Sequence, residues 1–392
     1  MTRAGGGGTR SYEFARHLVR AGHEVTMVTA GESRTVEGIS VVGVGGAYSD
    51  YMRATGLSYA RRAIAFGRFA AGATAAALRA PRPDVVFATS PPLTIALPAI
   101  AAGRRHRAPL VFEVRDLWPR APIEMGALRN PVAQRAAEGL ERRVYRAADH
   151  VVALSPGIAD GVAAAGMPPG EITLIPNASD LDLFSPDVDP GDLRARLGIE
   201  DAFVAAYFGT MGEANDLTQV VEAAALLRER GENGVAFVLQ GEGKRRAALE
   251  DELRRRGLDN VHLLPGGDKE SAARLAAAAD ACLTVFKDVP VLATNSPNKL
   301  FDTFAAGRPA IVNTGGWQRE LVERGAGLFA RPGDPADLAA QVLKLRDDPA
   351  LAKRLGEGAR RLAEEEFDRR LLAERLREVL ERVSDVRPEA ER

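Results

Sequence analysis

The chain is 392 residues long and is short of several things: it has one cysteine, five histidines and 6% aromatic residues. No apolar run approaches the ~20 residues that a membrane-crossing helix needs. A single cysteine excludes an internal disulfide framework and suits a reducing compartment. That residue, Cys282 in DACLTVF, reads as a buried strand thiol rather than a nucleophile. None of His17, His23, His106, His150 and His262 stands in a catalytic motif, and His23 in AGHEVT reads as a turn residue. No Cys/His cluster has metal-ligand spacing, so no metal is expected. Fifty-two basic against 53 acidic residues leave a formal charge of −1, which removes the bulk electrostatic case for a nucleic-acid binder. The opening MTRAGGGGTR has no apolar signal region, and the expected location is the cytoplasm.

What is present is a regular alternation of strand-like and helical runs. The first set of strands is HEVTMVT, ISVVGV, DVVFATS, PLVFEVR, HVVALS and ITLIPN. The second is AFVAAYFG, VAFVLQG, NVHLLPG, ACLTVF, PAIVN and GLFAR. Helices between most of these predict an α/β chain with mostly parallel sheets covered on both faces. At 392 residues and 46% hydrophobic content, the chain can fill two cores. The Asp- and Pro-rich stretch NASDLDLFSPDVDPGD separates the two sets in the manner of a linker. The expected organisation is therefore a doubly wound, Rossmann-like domain over 1–180, a linker over 181–197, a second such domain over 198–365, and a helical tail over 366–392 that folds back on the first domain. Two open α/β sheets facing across a cleft would gather loop ends and helix N-termini around one ligand.

Several loops could meet an anion. In TNSPNKLFDTFAAGRPAIVN (294–313), Ser296 suits an N-cap, Pro297 a first helical position and Gly307 a left-handed C-terminus. The free N–H groups of that first turn, with Asn298 and the charge of Lys299, suit an anion as ligand. An ordinary capped surface helix is the alternative. Gly6, Gly7, Gly8 and Thr9 immediately precede the helix RSYEFARHLVRAG and could present bare amides, although a flexible tail explains a glycine run equally well. Gly241 and Gly243 in GEGK, and Thr210 in FGTMGEAND, lie in strand-to-helix turns. Arg115 and Asp116 end the run PLVFEVRD, where a structural ion pair competes with a functional role.

The set of motifs, in this order, resembles glycosyltransferase family 4, the retaining sugar-nucleotide transferases of the GT-B fold. The resemblance rests on GGGGTRSYEFARHLVRAGHEVTMVT, FEVRDLWPRAPIEMGAL, IPNASDLDLF, YFGTMGEANDL and SPNKLFDTFAAGRPAIVNTGGW, which span nearly the whole chain. Within the family, the pairing of EVRDLWP with PNKLFDTFAAGRP is most similar to the bacterial subgroup around the N-acetylfucosamine transferases. The resemblance implies a nucleotide diphosphate on the C-terminal domain, with Lys299 and the amides after Ser296 neutralising the leaving group. No metal or other cofactor is implied. Asp302 stands where the family's second Glu holds the ribose hydroxyls, and a carboxylate can accept two hydroxyl bonds. Asp116 would orient the acceptor or accept its proton, with Arg115 facing phosphate.

Departures from the family pattern are informative. Thr294 occupies the position of a sugar-contacting Glu, leaving sugar contacts to Thr294, Asn295 and backbone amides. Thr210 and Asn215 stand in the turn where many members carry an Arg and a Lys. The apolar strand that precedes the glycine loop in the family is missing: either the start given lies downstream of the true one, or the first sheet lacks its first strand. DLD at 180–182 imitates the Asp-x-Asp metal motif of another transferase fold, but Asn177 and Asp180 match the GT-B domain border. The favoured function is transfer of a hexosyl group, an acetamido sugar, from a UDP-sugar to a lipid-linked or saccharide acceptor. An epimerase of the same fold and a non-catalytic partner protein are the alternatives. The segment 51–80 holds five arginines and no acid, with Tyr59 and Phe66 on one side of a helical wheel, as a helix lying on an anionic membrane would have it; a solvated basic face on a packed helix is the other reading.

Overall fold

The computed structural model describes residues 10–44 and 59–385, with backbone only for 59–63. The residues divide into two compact units. The N-terminal unit holds 9–176, 294–296 and 370 onward, and the C-terminal unit holds 177–293 and 297–369.

In the N-terminal unit, β1 (Thr26–Ala30), β2 (Arg34–Val36) and β3 (Ile39–Val44) form one sheet in the order β1-β3-β2. β1 and β3 run parallel, while β2 is an antiparallel edge strand. A second, all-parallel sheet follows in chain order: β4 (Val86–Ser90), β5 (Leu110–Val114), β6 (His150–Ala153) and β7 (Ile172–Leu174). Among the described residues no strand precedes the first helix (Arg10–Arg20), and no ladder joins β1 to β4. The helix Arg369–Asp385 belongs to this unit, where Glu374 and Glu381 lie 3.0 and 3.1 Å from the Nε2 atoms of His17 and His23.

The C-terminal unit carries one six-stranded parallel sheet, ordered β10-β9-β8-β11-β12-β13. Its strands are β8 (Phe203–Phe208), β9 (Val235–Gln240), β10 (Val261–Leu264), β11 (Ala281–Thr284), β12 (Ala310–Val312) and β13 (Gly327–Phe329). Alternate residues of β8 feed opposite cores: Val204, Ala206 and Phe208 join one cluster, while Ala205 and Tyr207 join the other. Both faces are thus covered, which is why these strands read as continuous apolar runs. Cys282 on β11 is buried, and burial pushes its thiol up to about 12, so it is inert.

Two expectations need correction. The stretch 181–197 is not a free linker: Leu181 and Phe184 are buried in the core of the C-terminal unit, with Leu183, Leu193 and Leu197 packed against it. The Asp and Pro content hid these apolar anchors. The second correction concerns the helix after SPN, which begins at Asn298. Pro297, extended at φ −77° and ψ 127°, takes the cap position that was expected of Ser296. Gly307 does adopt the left-handed conformation, with φ +63°.

Candidate functional site

The strand β8 ends in Tyr207-Phe208-Gly209, and its last inward residue sets the geometry of the C-terminal site. The Tyr207 hydroxyl donates to the Thr210 carbonyl at 2.7 Å, turning the chain back over the strand end. Gly209 has φ +139°, and a Cβ there would lie 3.4 Å from Cε of Lys299. Glycine at this position permits the turn, while a Cβ there would make only ordinary contact with the lysine.

Lys299, in the first turn of the helix Asn298–Ala305, sends its ammonium into this corner. Nζ donates to the Tyr207 hydroxyl and to Asn215 Oδ1, both at 2.8 Å. It also lies 4.2 Å from the centroid of the Tyr207 ring and 5.2 Å from that of Phe286. None of its partners among the described residues is a carboxylate. Burial therefore holds its pKa down to about 7, because a charge without a counter-charge is costly out of water. Phe286 is fixed in turn by Asn313, which accepts from the Phe286 N–H and donates to its carbonyl, each at 2.8 Å, and donates to Gln219 at 2.9 Å.

The other predicted residues of this unit fall into two groups. Thr210 is exposed and contributes its carbonyl rather than its side chain to the contacts around Tyr207. Gly241 and Gly243 are also required by close backbone packing. A Cβ on Gly241 would fall 1.8 Å from the Gly209 carbonyl oxygen, and one on Gly243 would fall 2.3 Å from that of Met211. The Gly241 N–H is already used by the Leu264 carbonyl at 3.3 Å. These glycines are bare because two strand-end loops meet backbone to backbone. Asp302 is buried and accepts from the Ser179 hydroxyl at 2.8 Å. Ser179 is itself held by backbone bonds to Phe367 and Arg369. Asp180, of the DLD motif, accepts from the Leu183 N–H at 3.4 Å, a capping contact.

In the N-terminal unit Arg115 and Asp116 follow β5 directly, and both are half-buried. Desolvation raises the pKa of Asp116, and the charge of Arg115 partly offsets this. Thr294, Asn295 and Ser296 group with this unit rather than with Lys299. The Ser155 hydroxyl donates to the Thr294 carbonyl, and a Cβ on Gly157 would stand 2.9 Å from the Thr294 side chain. Gly6, Gly7, Gly8 and Thr9 lie outside the described residues.

Sequence reasoning passed over Tyr207 and Phe286, which looked like core residues of apolar runs, and the pair Arg10–Glu113. Arg10 donates to Glu113 at 2.8 Å, with both side chains buried, and to the carbonyls of Ile175 and Pro176. Thr89 donates to the other oxygen of Glu113 at 2.6 Å. The one signal available was a Glu inside the otherwise apolar strand LVFEV, since a buried carboxylate needs a partner.

Residues 5–178 match the Glycosyl transferase 4-like domain family, and residues 202–348 match the Glycosyl transferases group 1 family. The chain belongs to the family 4 glycosyltransferases. This glycosyltransferase is 26% identical to the colanic acid biosynthesis glycosyl transferase WcaI of Escherichia coli K12 over 296 residues, covering 74% of this chain and 71% of WcaI. It is 25% identical to glycogen synthase of Mycobacterium tuberculosis over 390 residues, covering 93% and 88% of the two chains. Among solved structures, Anabaena HepE in complex with UDP-glucose superposes with a TM-score of 0.74 at 19% identity, covering 97% of this chain and 98% of HepE. Sucrose-phosphate synthase from Thermosynechococcus elongatus gives 0.78 at 18% identity, with coverage of 96% and 94%. The glycosyltransferase thus has the GT-B fold, as its two sets of Rossmann-like parallel strands require.

Proposed function

We propose that this glycosyltransferase moves a hexosyl group, an acetamido sugar, from a UDP-sugar to a lipid-linked or saccharide acceptor with retention of configuration, in the synthesis of a surface polysaccharide or glycoconjugate. The observation that carries the donor half is Lys299, a half-buried ammonium offered only neutral partners among the described residues. When the bond between the anomeric carbon and the β-phosphate oxygen breaks, negative charge develops on the departing diphosphate. An ammonium already desolvated and oriented stabilises that charge without rearrangement. The amides of the Asn298–Ala305 helix N-terminus add to it. The leaving group is neutralised by these groups, and the reaction runs without a metal or other cofactor. Asp302 takes the ribose hydroxyls. Thr294, Asn295 and Ser296 take the donor sugar.

Asp116 carries the acceptor side, orienting the attacking hydroxyl or taking its proton. Desolvation raises its pKa, which makes it a better proton acceptor than an exposed carboxylate. HepE has been solved with UDP-glucose, and WcaI is described in colanic acid synthesis; both support the choice of donor class and product class. A cytoplasmic enzyme working on a lipid-linked acceptor has to reach an anionic membrane face, and residues 51–80 supply arginines for that. No helix among the described residues is long and apolar enough to cross a membrane.

The test is a thermal-shift panel of nucleotides and nucleotide sugars followed by transfer assays in EDTA. Stabilisation by UDP and its sugars, with turnover in chelator, is expected. Strict dependence on manganese would overturn the metal-free mechanism, and preference for another nucleotide would overturn the donor.

A further inference from the structure

Large apolar side chains with more than a third of their surface exposed are few among the described residues, and every one of them, from Ile64 to Leu174, belongs to the N-terminal unit. Three have a common place in the topology. Leu97 opens the helix Ala96–His106, which leaves the carboxyl end of β4, and Val132 opens the helix Pro131–Ala147, which follows β5. Ile64 lies near the start of the helix Tyr59–Arg79, which feeds the amino end of β4 and so begins at the same carboxyl end. The ring of Phe66, 6.4 Å from that of Trp118 just past β5, fixes that direction. The Ala96–His106 helix packs against both of the others. The starts of these three helices thus set Ile64, Leu97 and Val132, exposed by 57%, 48% and 72%, along one edge of the unit.

The charge around this edge has one sign. Arg68 and Arg135, each one turn further along its helix, are exposed and have no ion-pair partner among the described residues. None of the three helices has an acidic residue in its first turn. Of the acids in the loop between β5 and Pro131, Glu124 is paired with Arg120 at 2.6 Å and Asp116 is half-buried. Exposed aliphatic tips interspersed with arginines, with the aromatic rings recessed, match a bilayer interface. Headgroup phosphates meet the arginines while the short side chains reach the acyl boundary.

We propose that Ile64, Leu97 and Val132, near the starts of these three helices, form one seat that enters the headgroup layer of an anionic membrane. This rests on the reading of the enzyme as one that serves a lipid-linked acceptor, and it narrows the contact from the basic segment 51–80 to an edge shared by three helices. The seat adjoins Asp116, so it holds the acceptor-side loop at the lipid surface.

The test is co-sedimentation of the full chain with vesicles of phosphatidylcholine alone or with about one-third phosphatidylglycerol, with UDP affinity as the folding control. Wild type should sediment with the anionic vesicles. The triple variant Ile64→Ser, Leu97→Ser, Val132→Ser should lose at least about tenfold in partitioning, since each side chain forfeits its apolar burial, with UDP affinity unchanged. Arg68→Glu with Arg135→Glu should also lose binding, and raised salt should weaken wild type more than this variant. A serine triple variant that binds like wild type overturns the seat, and binding that is then lost on reversing Arg61, Arg62 and Arg68 returns the contact to segment 51–80. Wild type that ignores all vesicles overturns both. A concentration-dependent dimer that the serine triple variant abolishes would assign the edge to a second copy of the chain instead.

Discussion

Each unit holds a cation at the carboxyl end of its parallel strands, Arg10 buried and Lys299 half-buried, and the two are treated in opposite ways. Arg10, in the N-terminal unit, is given a buried carboxylate, two carbonyl oxygens and the face of Phe14 at 4.4 Å. Lys299, in the C-terminal unit, is given a hydroxyl, an amide oxygen and two ring faces, and no anion. The first arrangement is complete and serves the fold. The second is incomplete, and an incomplete charge site is what a diphosphate can finish. A cation in a strand-end pocket is therefore not by itself a sign of ligand binding; what separates a binding site from a brace is whether the protein has already supplied the counter-charge.

The comparison breaks most sharply on stability. Arg10→Met should destabilise the protein by about 3–5 kcal/mol, because it strands Glu113 as an uncompensated buried charge. Lys299→Met leaves only neutral groups behind and should cost far less. Both are read from chemical denaturation midpoints, and equal losses for the two variants would erase the distinction between brace and site.

Ligand binding should show the reverse order. Lys299→Ala should weaken UDP by about 1.5–3 kcal/mol, a loss of roughly 10- to 100-fold by titration calorimetry, as for a charge-assisted contact. Unchanged affinity would remove Lys299 from the donor site.

A smaller effect is expected from pH. Burial disfavours the charged form of Lys299 and holds its pKa at about 7. A bound diphosphate favours the charged form and raises that pKa, so binding takes up a proton above pH 7. UDP affinity should accordingly fall as pH rises from 7 to 9, by at most about tenfold per unit, and Lys299→Ala should flatten the slope. A wild-type profile as flat as that of the variant would mean that the ammonium is already fully charged. The smallest effect is reserved for Thr210→Ala: the residue is exposed and contributes its carbonyl to Tyr207, so UDP affinity should change by less than about threefold. A larger loss would show that the hydroxyl itself meets the donor.

Much of this was legible beforehand, and the failures are as instructive. Every strand except Arg34–Val36 is readable as an apolar run; that exception is a three-residue polar-flanked edge whose only pairing is antiparallel to β3. The stretch around Leu181 and Phe184 looked like a linker because composition averages over its many polar residues, whereas burial is decided by the few apolar ones. The close packing of Gly241 and Gly243 was hidden because a sequence shows that a Cβ is missing but not what takes its place, here the carbonyls of Gly209 and Met211.

The sequence by itself determined the alternation of elements, the two sets of strands and the charged residues at strand ends, because these follow from local periodicity, capping and composition. Only the tertiary structure decided which charges are spent. Lys299 meets Asn215 and Tyr207 from 84 and 92 residues away, and Arg10 meets Glu113 across 103. Such partners are chosen by how the chain folds in three dimensions, and the cost of leaving a charge without one is felt only once water has been excluded around it.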